Sequence, residues 1–194
     1  MDQILLRTGD RLRVRPIRAT DAQALVALHA RLSADTIYRR YFGARPRLSP
    51  ADVDRFTRVS EDWRFALVAV REPAELVAVA RYEGSAAGST AEIAIVVDDA
   101  VQHQGIGRAL FARLAEVARV RGLTALVADV LDGNEPMLRL LRSSGLPTRT
   151  ARARRPHRHR RPHRLVPVQR RSRAGPVPHR RGSRRFAGAV PVTG

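Results

Sequence analysis

The run Gln102-His103-Gln104-Gly105-Ile106-Gly107-Arg108 sets two glycines one residue apart, between an apolar segment (Ala91 to Val97) and an amphipathic one. Glycine at 105 and 107 keeps side chains off the backbone, so successive N–H groups stay open to a ligand. At a helix start those amides have no intrahelical acceptor, and the macrodipole favours an anion. The chemistry this supports is a grip on phosphate or diphosphate. A tight strand-to-helix turn without a ligand is the plainer reading, and Gly-x-Gly alone does not decide between them. Gly-Lys-Ser/Thr is absent, which excludes a nucleotide-triphosphatase P-loop, and the third glycine of a dinucleotide fingerprint would fall at Leu110. A second residue of interest is Glu92, the one charge inside the apolar run that leads to the turn. A general base and an outward-facing glutamate at a strand start are its two readings.

The elements that must carry these residues are legible from periodicity. Leu12 to Ile17 alternates apolar residues with Arg, as a half-buried strand does. Thr20-Asp21 offers an N-cap to a helix whose apolar face is Ala24, Leu25, Leu28 and Leu32. Ser33 to Asp35 starts a second helix through IYRRYFG, and Ser49-Pro50 a short third one through Phe56. Phe65 to Val70 and Leu76 to Tyr82 read as a hairpin, followed by the Ala91–Val97 strand. Ile106, Leu110, Leu114 and Val117 recur at helical spacing, Leu123 to Val130 is a further strand, and Asn134 to Ser144 a last helix ended by Gly145. A strand–helix–strand run from Ala91 to Val130 implies a parallel pair, so the class is α/β with a mixed central sheet flanked by helices.

Charge divides the chain. The 194 residues carry 36 basic residues, all Arg, and 18 acidic ones, for a net charge of +18. Residues 1–146 hold 21 Arg and every acidic residue, a net of +3; residues 147–194 hold 15 Arg and no Asp or Glu. Only seven of those 48 residues are Leu, Ile, Val or Phe, about 15 %, too few for a charged segment to fold. We therefore expect a folded domain over 1–146 and a disordered basic tail over 147–194. The tail reads either as a GC-rich coding region translated out of frame or as a cationic arm for nucleic acid. Phe186 is its only aromatic residue, so such binding would be non-specific and salt-sensitive. There is no cysteine, hence no disulfide, thiolate metal site or acyl-thioester intermediate on the protein, and no metal is expected. No apolar run approaches a membrane span and the start is not a secretory signal, so a cytoplasmic location is expected.

The turn also matches the pattern Gln/Arg-x-x-Gly-x-Gly/Ala, and here the sequence resembles the GNAT N-acetyltransferases over its first 146 residues. VRPIRATDAQAL looks like that family's first strand and helix and NEPMLRLLRSSGL like its closing helix; IYRRYFG, RFALVAV, VARYE and AEIAIVV look most like the bacterial Pat-type protein lysine acetyltransferases. The resemblance implies acetyl-CoA as acyl donor and direct transfer to an amine, a protein lysine or a smaller one, in a ternary complex. It implies that Gln102, Gln104, Gly105, Ile106, Gly107 and Arg108 hold the diphosphate, and that Ile95, Val96 and Val97 offer backbone groups to the pantetheine arm. Asn134 would touch the cofactor or simply cap its helix. Glu92 falls where Pat-type enzymes place a general base. A base is needed, because a lysine near pKa 10.4 must lose its proton at a cost of about 4.6 kcal/mol at neutral pH. The tyrosine that many relatives use as an acid is replaced by Leu141. The family's two closing strands are not legible after Leu146, where prolines interrupt any alternation. We therefore expect cofactor binding with reduced or absent turnover, an acyl-CoA-binding module being the alternative, and an unpaired edge on the Leu123–Val130 strand.

Overall fold

Alternating and continuous apolar runs become a sheet with helices on both faces. In the computed structural model, which describes residues 2–59, 63–152 and 162–167, the strands are β1 (Asp2–Leu5), β2 (Arg11–Pro16), β3 (Arg64–Arg71), β4 (Glu75–Glu83), β5 (Thr90–Val97), β6 (Ala125–Leu131), β7 (Thr148–Arg152) and β8 (Pro162–Pro167). Their order in the sheet is β1-β2-β3-β4-β5-β6-β8-β7. Every pairing is antiparallel except β5 with β6, which needs a crossover. Helix α4 (Ile106–Val120) supplies it.

Two apolar clusters sandwich the sheet. On one face Ile106, Leu110, Phe111 and Leu114 of α4, with Leu138 and Leu141 of α5 (Glu135–Arg142), pack on Ala78, Ala80, Ile93 and Leu126. On the other, Leu25 and Leu28 of α1 (Ala22–Arg31) pack on Val68, Val70 and Val79, with Ile37 of α2 (Ala34–Tyr41) and Phe56 of α3 (Pro50–Thr57) against them. Local chemistry sets the helix starts. The Ser33 hydroxyl accepts from the Thr36 N–H at 3.2 Å. Ser49 and Asp52 form a reciprocal capping box, 3.1 and 3.0 Å, with Pro50 in the first turn. Asp21 precedes α1 without capping it. Its carboxylate takes the Arg18 N–H at 2.8 Å and a bidentate pair from Arg15, both at 2.7 Å.

Two features depart from the sequence reading. β1 was not anticipated, because four residues that end on the exposed Leu5 carry little alternation. More consequentially, the expected loss of the closing strands is corrected. β8 pairs antiparallel with β6 over Ala128–Leu131, and β7 pairs with β8. The prolines that argued against a ladder sit at its ends, Pro162 first and Pro167 last in β8, where a missing N–H costs least. The β6 edge is covered over Ala128–Leu131. Of the disordered tail expected over 147–194, residues 148–152 and 162–167 are β7 and β8, and 153–161 and 168–194 lie outside the described residues.

Candidate active site

The site begins where two strands part. The β5–β6 ladder runs Thr90↔Ala125, Ala91↔Leu126, Glu92↔Val127 and stops, whereas the β4–β5 ladder continues to Val97. Beyond Glu92, β5 therefore has a partner on one edge only. Alternation decides which of its groups are open. The Asp98 N–H donates to the Val77 carbonyl at 2.8 Å, so even-numbered β5 residues point their backbone at β4 and odd-numbered ones away. The Val97 carbonyl, on the open side, accepts from the Gln102 side chain at 3.1 Å. Ile95 is left with its N–H and C=O facing the gap. Val96 directs its backbone into the β4 ladder, unlike the role expected for it.

A cavity of about 400 Å³ occupies this gap. From β5 it is lined by Glu92, Ile95, Val96 and Val97. The turn contributes Gln102, Gly105, Ile106, Gly107 and Arg108, and Asn134, the N-cap of α5, also lines it. Gln104 does not line it; its side-chain oxygen is buried without a hydrogen-bond partner among the described residues. Ile95 and Val97 belong to the α4 face of the sheet, and Glu92, two residues before Ala94, to the opposite face under α2. The cavity thus passes through the sheet, with the glycine turn on one side and the carboxylate on the other.

The turn leaves a row of backbone amides open at the start of α4. Gly105 precedes α4 with φ +84°, a left-handed backbone, and a Cβ placed there would meet open space. Its carbonyl accepts the Ala109 N–H at 3.0 Å, which leaves the first-turn amides of Ile106, Gly107 and Arg108 without intrahelical acceptors; no side chain caps them. Gly107 is needed for another reason. A Cβ there would stand 3.1 Å from Leu140 Cδ1 and 3.8 Å from Val97 Cγ2. It lets α4 close against β5 and α5. His103, also left-handed at φ 62°, is exposed, and its carbonyl accepts from Arg7 at 3.0 Å.

Gln102 and Asp99 brace the turn. The Gln102 amide donates to Asp99 at 3.1 Å and to the Thr36 hydroxyl at 3.3 Å besides Val97. Asp99 accepts from the Ser33 N–H at 2.8 Å and the Thr36 hydroxyl at 2.6 Å. Burial would raise the Asp99 carboxyl, but these hydrogen bonds outweigh it and hold it below the usual range. Asp98 is tied to Arg31 at 2.8 Å. Both aspartates hold the fold together. So does His29, buried with its Nε2 at 2.8 Å from the Arg45 carbonyl and its ring edge-on to Tyr41.

Glu92 is exposed to the cavity and lies in the field of Arg40, which also lines it. Loss of hydration pulls the Arg40 guanidinium down, while Tyr41, Glu92 and Glu83 act to hold it up. Deeper in the same face Arg81 is buried over the Phe56 ring at 4.3 Å. Burial first, and then Arg40, push it down to about 10. Asn134 caps α5 by accepting the Met137 N–H at 3.3 Å and also reaches the cavity wall, so both of its readings are accommodated. Sequence reading missed Arg40 and Asp129. The signal that singled out Glu92, one charge inside an apolar strand, was equally present for Asp129 in Ala125–Leu131.

Known proteins share this fold. The model of the acetyltransferase (GNAT) family matches residues 32–146. The GNAT domain of S. lividans PAT is 34% identical with a TM-score of 0.76, covering 85% of this chain and 94% of that one. An acetyltransferase of Pseudomonas aeruginosa is 29% identical over 135 residues, 68% of this chain and 73% of its own. In fold alone the chain also resembles an acetyltransferase from Salmonella typhimurium seen with its cofactor acetyl-CoA. That match has a TM-score of 0.65 and 20% identity, covering 86% of this chain and 98% of that one.

Proposed function

This chain belongs to the GNAT acetyltransferase family, and from that premise we propose that it acetylates lysine side chains of proteins in the cytoplasm, with Glu92 as general base. The observation that carries the reading is the cavity that crosses the sheet, an uncapped helix N-terminus at one end and a carboxylate at the other. The family uses acetyl-CoA as acyl donor, and the residues present fit it. The amides of Ile106, Gly107 and Arg108 would take the diphosphate and the open backbone of Ile95 the pantetheine arm. Bound there, acetyl-CoA supplies an activated thioester acyl group.

The protein's part is then positioning and proton transfer. The Ile95 N–H, aimed into the gap, can donate to an acyl oxygen that gains charge during attack. Glu92, on the face opposite the turn, takes the proton that a protonated lysine must lose, directly or through one water. No cysteine is available to carry the acyl group, so the amine attacks in a ternary complex. Leu141 offers no acid for the departing thiolate, which leaves readily without one. The support for a protein lysine as acceptor over a small amine is the resemblance of IYRRYFG, RFALVAV, VARYE and AEIAIVV to Pat-type enzymes, together with the likeness to the GNAT domain of S. lividans PAT.

Mass spectrometry of a lysine-bearing protein panel incubated with acetyl-CoA tests this. Acetyl-lysine formed by the wild type and lost in Glu92→Gln is expected. Modification restricted to free amino acids or small amines would overturn the lysine assignment.

A further inference from the structure

The side of the cavity opposite the turn carries positive charge that the reaction so far does not use. We infer that Arg40 is a specificity-determining residue which, backed by Arg81, receives a carboxylate that the acceptor carries beside its amine. On the lysine reading above, on which this inference rests, that group is an Asp or Glu side chain next to the modified lysine.

Register gathers the charges. Antiparallel partners face the same way, so Arg81 and Glu83 of β4 share the sheet face of Ala94 and Glu92, their partners on β5. Glu92, Ala94 and Arg40 of α2 all line the cavity. Arg81 is 8% exposed and lies in the field of Arg40. Its Nε is buried without a hydrogen-bond partner among the described residues, and its Nη2 reaches only the Phe56 carbonyl, at 3.4 Å. The Arg40 guanidinium stands over the Tyr41 ring at 4.8 Å and forms no ion pair with a described residue. Arg45, which flanks the same ring at 5.0 Å, is by contrast held by Asp52 at 2.8 Å.

The acids of this face do not supply a lasting counter-charge. Glu83 is taken up by Arg55 and, at 3.8 Å, by Arg64. Asp129, across the gap on β6, has Arg164 as its cross-strand partner. Glu92 remains, and as general base it becomes neutral when it takes the proton of the amine. Arg40 and the buried Arg81 then lack a counter-charge, a costly state that a carboxylate on the acceptor relieves. A guanidinium fork suits that group, since it can donate two parallel hydrogen bonds to it. The same carboxylate lowers the repulsion that a cationic acceptor meets in a chain of net charge +18.

Capped Gly/Ser peptides with one lysine and one glutamate test the assignment. The glutamate is set next to the lysine, on either side, or at the far end, so that all isomers have the same net charge. At about 0.15 M salt, charges more than about 8 Å apart are largely screened, so a local contact is what separates the isomers. The wild type should acetylate the better adjacent isomer with a kcat/KM about tenfold above the separated one. Calorimetric titration into CoA-saturated protein should show the same preference. In Arg40→Gln the ratio should fall below about twofold. Because both isomers are compared on one protein, a general loss of activity does not imitate this result. Arg40→Met, which keeps the aliphatic stem, should give the same loss if the glutamine variant does not fold. A wild type that treats the isomers alike, or a preference retained in a folded variant, overturns the proposal. Failure to acetylate any of the peptides would instead sink the acetyltransfer reading, while the calorimetric ratio still decides the role of Arg40.

Discussion

The Gln102 side chain donates to the Val97 carbonyl at 3.1 Å, fastening the start of the glycine turn to the last residue of β5. The resemblance pointed Gln102 at the diphosphate; the geometry engages its amide with Val97, Asp99 and Thr36. It thereby holds β5, the turn and α2 in one arrangement.

Gln102→Ala removes all three bonds and leaves Asp99 with Ser33 and Thr36 alone. We expect a loss of about 1–2 kcal/mol in urea unfolding and about tenfold weaker acetyl-CoA binding by calorimetry. A variant that loses stability but keeps full affinity would show that the brace does not shape the cradle.

Glu92→Gln keeps the side chain's size and removes its capacity to take a proton. A fall in kcat of about a hundredfold or more is expected, with acetyl-CoA affinity within about twofold, because the residue stands on the sheet face opposite the turn. Stopped-time assays of CoA release together with calorimetry read both quantities.

Acid should unfold the protein partly through Asp21. The Arg15 hydrogen bonds hold its carboxyl below the usual range, against the opposing effect of burial, with the Arg18 N–H adding to the lowering. A depressed folded pKa contributes stability that is fully present above the ordinary carboxylate value and is lost as pH falls through the folded one. Asp21→Asn is expected to cost about 3 kcal/mol near neutral pH, since it leaves a largely buried Arg15 without its counter-charge. In urea titrations at several pH values the gap between the two proteins should close as both become acidic; a constant gap would contradict the linkage.

Truncation after Leu146 removes β7 and β8 and bares the backbone of Ala128–Leu131. Exposed edges recruit other chains, so this protein should aggregate in light scattering, whereas truncation after Pro167 keeps both strands and should remain monodisperse. Equal behaviour of the two would mean that the β6–β8 ladder contributes nothing to solubility.

The sequence made most of the frame legible because strand and helix periods were strong and caps were explicit. Ser33, Ser49 and Asn134 each start the helix expected of them. The apolar stripe of α4 is likewise the one that packs. What stayed hidden was long-range. β8 carries too few apolar residues to announce itself, and its existence depends on an open β6 edge far away in sequence. The division of β5 into outward Ile95 and inward Val96 follows from register, which composition does not contain. Asp129 was readable in principle, but only the parting of β5 from β6 gives it a cavity to face.

The central claim is that the bare amides at the start of α4 grip the diphosphate of acetyl-CoA. Titration of acetyl-CoA into the wild type and into Gly107→Glu, with both confirmed folded by circular dichroism, tests it most directly. We predict saturable 1:1 binding by the wild type and a loss of about a hundredfold or more in the variant. There a carboxylate would stand among those amides, and its Cβ would press on Leu140. No heat from the folded wild type, or equal affinity in the two proteins, would contradict the account.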